Sequence, residues 1–435
     1  MTPSARLAAA IEVITAIDAD RRPVADALKA WGLAHRFAGS GDRAAIAGIA
    51  YDALRRRASS AYLMGAETPR AAVLGMLKRE RGLDAEAIGK LADGSRFAPQ
   101  PLTDEERARL STVDLAAAPA HVAGDYPEWL DAAFARAFGD ARAEEGAALA
   151  SRAPLDLRVN TLKGEREQVA AMLADLKPEP TRWSPWGLRI RLTAEAKSPA
   201  VHAEPAFLKG FVEVQDEGSQ LAALFSAAKP GEQVLDLCAG AGGKTLALAP
   251  MMANKGQVFA TDDDKRRLAP IHDRLTRSGD RNVQVRTSKS VGGEIDDLKG
   301  RMDLVLIDAP CTGTGAWRRN PDAKWRMRPG ALEQRLKEQA EVLDRAVPML
   351  KPGGRIAYIT CSVLDDENGA QVRAFLERYP DFAAAPAAEL LAPLGERAFL
   401  FGKAARLSAE GLLMTPRGTD TDGFFVSILR ARAAS

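Results

Sequence analysis

The sequence predicts an α/β protein whose C-terminal half is a doubly wound, mostly parallel sheet, preceded by an all-α segment and a small α+β module. Two patterns and one coincidence carry this prediction. From about Phe211 onward, short apolar runs alternate with helical patterns, as in successive βαβ units. Near the N-terminus, apolar residues instead recur at helical spacing. The coincidence is that each of the 3 cysteines falls at the carboxyl end of one of the apolar runs.

The 435 residues are enough for two or three domains, each with its own core. Residues 1–125 are expected to form a helical domain with a linker. One stripe is Leu7, Ile11, Ile14 and Ile17, and a second is Ile46, Ile49, Ala53 and Leu54. Ser40-Gly41-Asp42 offers turn and N-cap chemistry before the second helix, and Arg55-Arg56-Arg57 reads as its solvated end. Helical sequence continues through Leu74 and Leu77. The small, proline-bearing and charged stretch from Asp93 to Tyr126 reads as a linker.

The second expected domain, residues 126–209, opens with Tyr126-Pro127-Glu128-Trp129-Leu130. A strand over 154–161, a helix around Val169 to Leu176 and a strand pair between Trp183 and Leu192 make it α+β. The third, residues 210–432, has strands at Val234–Leu237, Val258–Thr261, Val283–Val285, Leu304–Ile307, Ile356–Thr360 and Phe424–Leu429. A long helix carries Leu332, Leu336, Ala340, Leu343 and Val347 on one face, and Lys351-Pro352-Gly353-Gly354 turns into the next strand.

Composition excludes several classes. A net charge of +2 makes no general case for nucleic acid. An odd number of cysteines in a long chain argues against a disulfide framework and for a reducing compartment. Glu12 interrupts the apolar run from Leu7 to Ile11, so no secretory core is expected. No stretch reaches the roughly 18–20 apolar residues of a membrane span. A cytoplasmic, monomeric protein that touches no membrane is expected. His35, His121, His202 and His272 are scattered, so no metal is expected. A zinc cytidine deaminase would need a cysteine where Thr314 follows Pro310-Cys311.

The turn Cys238-Ala239-Gly240-Ala241-Gly242-Gly243-Lys244-Thr245 leaves a strand and opens a helix. Its glycines let the backbone approach a ligand, and the helix start supplies free N–H groups. Asp262, about twenty residues on, can accept from ribose hydroxyls. A nicotinamide cofactor would prefer glycine at Thr245, and a nucleotide triphosphate loop would need one at Cys238. S-adenosylmethionine, with ribose and a sulfonium but no phosphate, fits best; a tight structural turn is the plain alternative.

Cys311, in Asp308-Ala309-Pro310-Cys311, and Cys361, in Thr360-Cys361-Ser362, fall at the carboxyl ends of two strands, the edge where open α/β sheets bind ligands. Beside a methyl donor, two thiols suit one reaction. Carbon-5 of cytosine is a poor nucleophile until a thiolate adds at carbon-6 and makes it enamine-like. A group at ring N3 must accommodate the charge, and a second base must remove the carbon-5 proton. Asp308, Cys311 and Cys361 supply those three functions. The plain alternative, a small buried hydrophobe, is favoured for Cys238 alone. Trp317-Arg318-Arg319 and Lys324-Trp325-Arg326-Met327-Arg328 interleave aromatics and cations, which suits RNA phosphates and unpaired bases. The competing reading puts the tryptophans in a core.

These residues resemble the Nop/Sun family of RNA cytosine-5 methyltransferases. The likeness rests on Val214-Gln215-Asp216-Glu217, the loop from Leu237 to Thr245, Asp308 to Gly313, Arg319 to Trp325, Thr360-Cys361-Ser362 and Asp422-Gly423-Phe424-Phe425, in the family's order. It implies a Rossmann-like methyltransferase domain that uses S-adenosylmethionine. It further implies that Cys361 attacks the base, that Cys311 assists product release, and that Asp308 and Lys244 line the reaction centre. Cys238, Ala239, Gly240, Ala241, Gly242, Gly243, Lys244, Asp262 and Asp308 would hold the cofactor. Gly41-Asp42-Arg43 through Leu54-Arg55-Arg56 is similar to the NusB-like RNA-binding domain of bacterial members that modify small-subunit ribosomal RNA. Residues 126–130 and 157–162 resemble the family's RNA-recognition-like extension.

Three positions depart from the family. Ala239-Gly240-Ala241 stands for Ala-Ala-Pro, Thr287-Ser288-Lys289 lacks the acid expected after the third strand, and Glu367-Asn368-Gly369 stands for Glu-Asn-Glu. The expected function is cytosine-5 methylation of small-subunit ribosomal RNA. A transfer RNA methyltransferase and a catalytically silent RNA-binding assembly factor are the alternatives.

Overall fold

The computed structural model describes residues 1–192, 199–287 and 293–431. Ser288 and Lys289, part of the departure noted after the third strand, lie outside the described residues. The chain forms two compact units, one of residues 1–152 with 317–328, the other of 153–316 with 329–435.

The first unit is helical. Helices at Pro3–Asp20, Ser40–Arg55, Arg57–Met64 and Pro69–Arg81 bury Leu7, Ile14, Ile17, Ile46, Leu54, Leu74 and Leu77 in one core. The N-cap of the Ser40–Arg55 helix is Gly39, without a side-chain cap; Ser40 is already helical and Asp42 bonds Arg6. The stretch from Asp93 to Tyr126 holds a further helix, Asp104–Thr112, closed by a capping box in which Thr103 and Glu106 exchange side-chain and main-chain hydrogen bonds. Its one buried apolar residue is Leu110, so its composition resembles a linker although its cap does not. Residues 126–152 also pack in this unit, with Tyr126 stacked on Phe134 at 4.2 Å between centroids.

The segment Trp317–Arg328 leaves the α/β chain path to pack here, and it corrects the reading of its aromatics and cations as an RNA surface. Trp317 is buried and stacks on Phe134, and Trp325 Nε1 donates to Leu54 O at 2.6 Å. The Arg55–Arg57 run is likewise engaged within the unit. Arg55 pairs with Asp52 and donates to Arg318 O, Arg56 pairs with Glu80, and Arg57 with Asp18.

Lys324 is buried, donating to Arg55 O at 2.9 Å and Asp125 O at 2.6 Å. Burial pulls its ammonium down from 10.5 to about 7. Between those values the unfolded chain binds more protons than the folded unit, so stability from this group rises with pH there and is flat below. Lys324→Met is expected to remove that slope, about 2 kcal/mol between pH 7 and 9. Chemical denaturation of both proteins across that range checks it; parallel pH profiles would refute it.

The second unit carries two sheets. Strands β1 (Leu155–Val159), β2 (Glu179–Pro180), β3 (Gly187–Ile190) and β4 (Val212–Val214) make an antiparallel sheet in the order β2-β3-β1-β4. The strand expected to pair with β3 from within Trp183–Leu192 is instead β2, just before it, because Trp183 is committed to the core. Strand β4 pairs with β1, so the first strand after residue 210 belongs to this small sheet.

The large sheet is built from β5 (Gln233–Asp236), β6 (Gln257–Ala260), β7 (Val283–Val285), β8 (Met302–Asp308), β9 (Leu350–Thr360), β10 (Phe382–Ala384), β11 (Arg406–Leu407), β12 (Leu412–Met414) and β13 (Phe424–Ala431). Its order is β11-β12-β13-β9-β8-β5-β6-β7, with β10 paired to β13. β5 to β9 are parallel, and β13 returns antiparallel beside β9. This is a Rossmann-like doubly wound sheet. The interior strands are buried on both faces, which is why they read as continuous apolar runs. Pro352–Gly354 form a bulge inside β9, where Met302 pairs with Leu350 but Leu304 pairs with Arg355. The order reverses at β5, so the crevice at the carboxyl ends of β5 and β8 is the topological switch point.

Candidate active site

The loop after β5 owes its shape to two glycines in the left-handed region, Gly240 (φ 51°) and Gly242 (φ 83°). A Cβ on Gly242 would lie 2.5 Å from Ile271 Cγ1, so glycine is required there. Asp262, just past β6, accepts from Gly240 N at 2.9 Å and Asp264 N at 2.9 Å, which ties the acid to the loop. Gly240, by contrast, has only the tips of Arg267 and Asp262 within 4 Å of where a Cβ would stand.

At the far end of the loop, Gln215 Nε2 donates to Gly243 O at 3.1 Å and Thr245 Oγ1 donates to Asp236 Oδ2 at 2.6 Å. The amide oxygen of Gln215, Oε1, and the second carboxyl oxygen of Asp236, Oδ1, are buried without a hydrogen-bond partner. Burial pushes the Asp236 carboxyl up to about 7, with the Asp308 charge adding to the rise. The turn is open at Gly240 and has the Asp262 carboxylate beside it, which fits a ligand that presents hydroxyls, as the ribose of S-adenosylmethionine does.

Lys244 and Asp308 meet across the switch point. Lys244 is buried, its Nζ 2.7 Å from Asp308 Oδ2 and 5.0 Å from the centroid of the Phe424 ring. Asp308 is the more open partner, with a side-chain exposure of 37%.

The cysteines come together as well. Cys311 Sγ lies 3.3 Å from Cys361 Sγ, too far for a disulfide and close enough for one sulfur to donate to the other. That contact, with burial, holds the Cys311 thiol well above its ordinary range. Cys238 does not join them. It packs against the core beneath the sheet edge, and burial keeps its thiol protonated, as the small-hydrophobe reading expects.

Several bonds tie the two cysteine loops. Gly315 N donates to Cys361 O at 2.9 Å, and Gly423 N donates to Gly315 O at 2.9 Å. Thr314 and Ser362 share a hydroxyl contact at 3.0 Å. The Asp422-Gly423 pair thus has a mechanical role, with Asp422 N also bound to Asp216 Oδ1 at 3.1 Å. A Cβ on Gly315 would lie 2.1 Å from Gly423 O. Gly315→Ala is therefore expected to cost about 2–3 kcal/mol in urea unfolding. Gly330→Ala, which meets nothing within 4 Å, is the control. Equal midpoints for the two variants would contradict the contact.

Glu367, Gln339, Gln215 and Asp236 carry no role in the sequence prediction. A signal was present for two of them: Asp236 is a buried acid inside the β5 run and Gln339 a buried amide on the inward face of the Gly330–Ala346 helix.

Among the described residues no cluster of His, Cys, Asp or Glu could hold a metal ion, and no helix is long and apolar enough to cross a membrane. Comparison with known proteins agrees with the geometry. Residues 223–430 match the family model described as 16S rRNA methyltransferase RsmB/F, and residues 126–195 match its RsmF/B-like, ferredoxin-like domain. Ribosomal RNA small subunit methyltransferase B of Salmonella arizonae is 41% identical over 234 residues, covering 53% of each protein. The chain thus spans about half the length of the curated relatives it matches. The crystal structure of PH0851 superposes with a TM-score of 0.72 at 25% identity, covering 99% of both chains. A methyltransferase homolog protein from Pyrococcus horikoshii gives 0.58 at 26% identity, over 73% of this chain and 100% of that one. With both its ferredoxin-like and its catalytic region matched, the chain belongs to the Nop/Sun family of S-adenosylmethionine-dependent RNA methyltransferases.

Proposed function

We propose that this protein methylates carbon-5 of a cytosine in small-subunit (16S-type) ribosomal RNA through a covalent cysteine adduct. The 3.3 Å approach of Cys311 and Cys361 carries this reading, because the reaction needs a nucleophile and a base acting on two adjacent ring carbons. The Cys361 thiolate adds to carbon-6, and the electron pair of the ring double bond moves onto carbon-5. Asp308 shares a proton with the Lys244 ammonium 2.7 Å away and passes it to ring N3 as negative charge develops there, taking it back when the adduct resolves. S-adenosylmethionine, when bound, supplies an electrophilic methyl group for carbon-5. Once Cys361 is bonded to carbon-6 it no longer holds the Cys311 thiol protonated; Cys311 releases its proton to water and takes the carbon-5 proton, the ring double bond re-forms, and Cys361 leaves as thiolate.

The loop 238–244, with Asp262 and Asp308, is the proposed cofactor site. Support comes from the open turn at Gly240 and its bond to Asp262. The helical unit is proposed to hold RNA, as a NusB-like domain would, together with the α+β module. The target base must be unpaired or flipped, since stacking shields both ring carbons.

The test is transfer of labelled methyl from S-adenosylmethionine to unmodified small-subunit ribosomal RNA and to transfer RNA, with the product nucleoside identified. Label in 5-methylcytosine of the ribosomal RNA supports the proposal. Label confined to transfer RNA makes the protein a transfer RNA methyltransferase. Binding to RNA without transfer to either substrate makes it an assembly factor.

A further inference from the structure

We propose that the Glu367–Asn368 turn positions both cysteines, Glu367 holding Cys311 and Asn368 holding Cys361, so that one buried dipeptide sets the distance between the two sulfurs. The inference deepens the covalent-cysteine reading and rests on it for its catalytic meaning; its geometry stands independently.

The bonds converge from both sides of each cysteine. Thr312, directly after Cys311, donates from N to Glu367 Oε1 at 2.8 Å and from Oγ1 to Glu367 Oε2 at 2.5 Å. Gln339 Nε2 donates to the same Oε1 at 3.1 Å and to Pro310 O, directly before Cys311, at 2.9 Å. Asn368 does the same for Cys361. Its Oδ1 accepts from Thr360 Oγ1 at 2.5 Å, and its Nδ2 donates to Ser362 O at 2.9 Å. Tyr358 OH donates to Glu367 O at 2.7 Å, which locks the turn to β9.

Side-chain chemistry explains why a carboxylate and an amide occupy these places. Thr312 presents two donors and Gln339 a third, and an ionised carboxylate accepts on both oxygens, whereas glutamine would accept on only one. Asn368 must accept from one neighbour and donate to another, which an amide does and a carboxylate does not. Glu367, Asn368 and Gln339 are all buried, so each lost bond leaves an unmet polar group. Glu367 also adds to the groups that keep the Cys311 thiol protonated. A nucleophile and base must be held within tenths of an ångström for their steps to follow in order.

The test uses the full-length protein and two variants, Glu367→Gln and Thr312→Val. Diamide takes two electrons and two protons from neighbouring thiols, becoming the hydrazine as the S–S bond forms. The Cys311–Cys361 bond is followed by alkylation and mass spectrometry. Both variants are expected to form it at least tenfold more slowly than wild type, with melting temperatures that stay close to it for Thr312→Val. On RNA substrate they are expected to form the covalent adduct but resolve it ten- to a hundredfold more slowly. Crosslinking at the wild-type rate in both variants would overturn the proposal. If Glu367→Gln does not fold, Thr312→Val decides alone. Slower crosslinking in variants of a protein that never bonds RNA would uphold the positioning and discard the covalent mechanism.

Discussion

Cys361→Ala is expected to lower methyl transfer at least ~10³-fold, equivalent to about 4 kcal/mol of barrier. Without a thiolate at carbon-6 the ring keeps its aromatic electrons and carbon-5 has no means of attacking a methyl group. The substitution removes one sulfur from a half-buried position, and the bond holding that residue, Gly315 N to Cys361 O, belongs to the main chain. Folding and S-adenosylmethionine binding should therefore survive, which calorimetric titration with the cofactor checks. Cys361→Ser should fare little better, because a hydroxyl is far less ionised than a thiol at neutral pH. Transfer retained within tenfold in the alanine variant would refute the assignment of the nucleophile.

The second large effect falls on the other cysteine and has the opposite appearance. Cys311→Ala should still form the bond from Cys361 to carbon-6, yet fail to remove the carbon-5 proton that must leave before the bond can break. Loss of a positioned base slows such a step by roughly 10²–10⁴-fold. Protein is then expected to accumulate on RNA as a slower band on a denaturing gel that collapses on nuclease treatment. Cys311→Ala with Cys361→Ala should show no band. A single Cys311→Ala variant that turns over normally, with no trapped species, would contradict this division of roles.

Much of this architecture was legible in the sequence because burial writes itself into periodicity. Strands β5, β8 and β9 are covered on both faces, so they appear as unbroken apolar runs, and the residues that follow them fall at the binding edge. The approach of Cys311 and Cys361 followed from position along β8 and β9. What was not legible has a common physical cause. Trp317 and Lys324 read as a nucleic-acid surface because an aromatic–cation mix has the same composition whether it faces RNA or fills a core; only their burial separates the two. The Asp104–Thr112 helix was obscured because it buries only Leu110. Strands β10 to β12 are only two or three residues long, so they leave little side-chain pattern. The bonds of Glu367 with Thr312 and Gln339 join residues 55 and 28 apart in sequence, and no local spacing announces them.

The most direct measurement is to incubate the wild-type protein and S-adenosylmethionine with ribosomal RNA carrying 5-fluorocytidine, and to identify the modified peptide by mass spectrometry. Fluorine at carbon-5 leaves no proton for Cys311 to remove, so the adduct cannot resolve. The account predicts a nucleotide bonded to the peptide containing Cys361. An adduct on the Cys311 peptide, or none from a protein that methylates ordinary RNA, would contradict it.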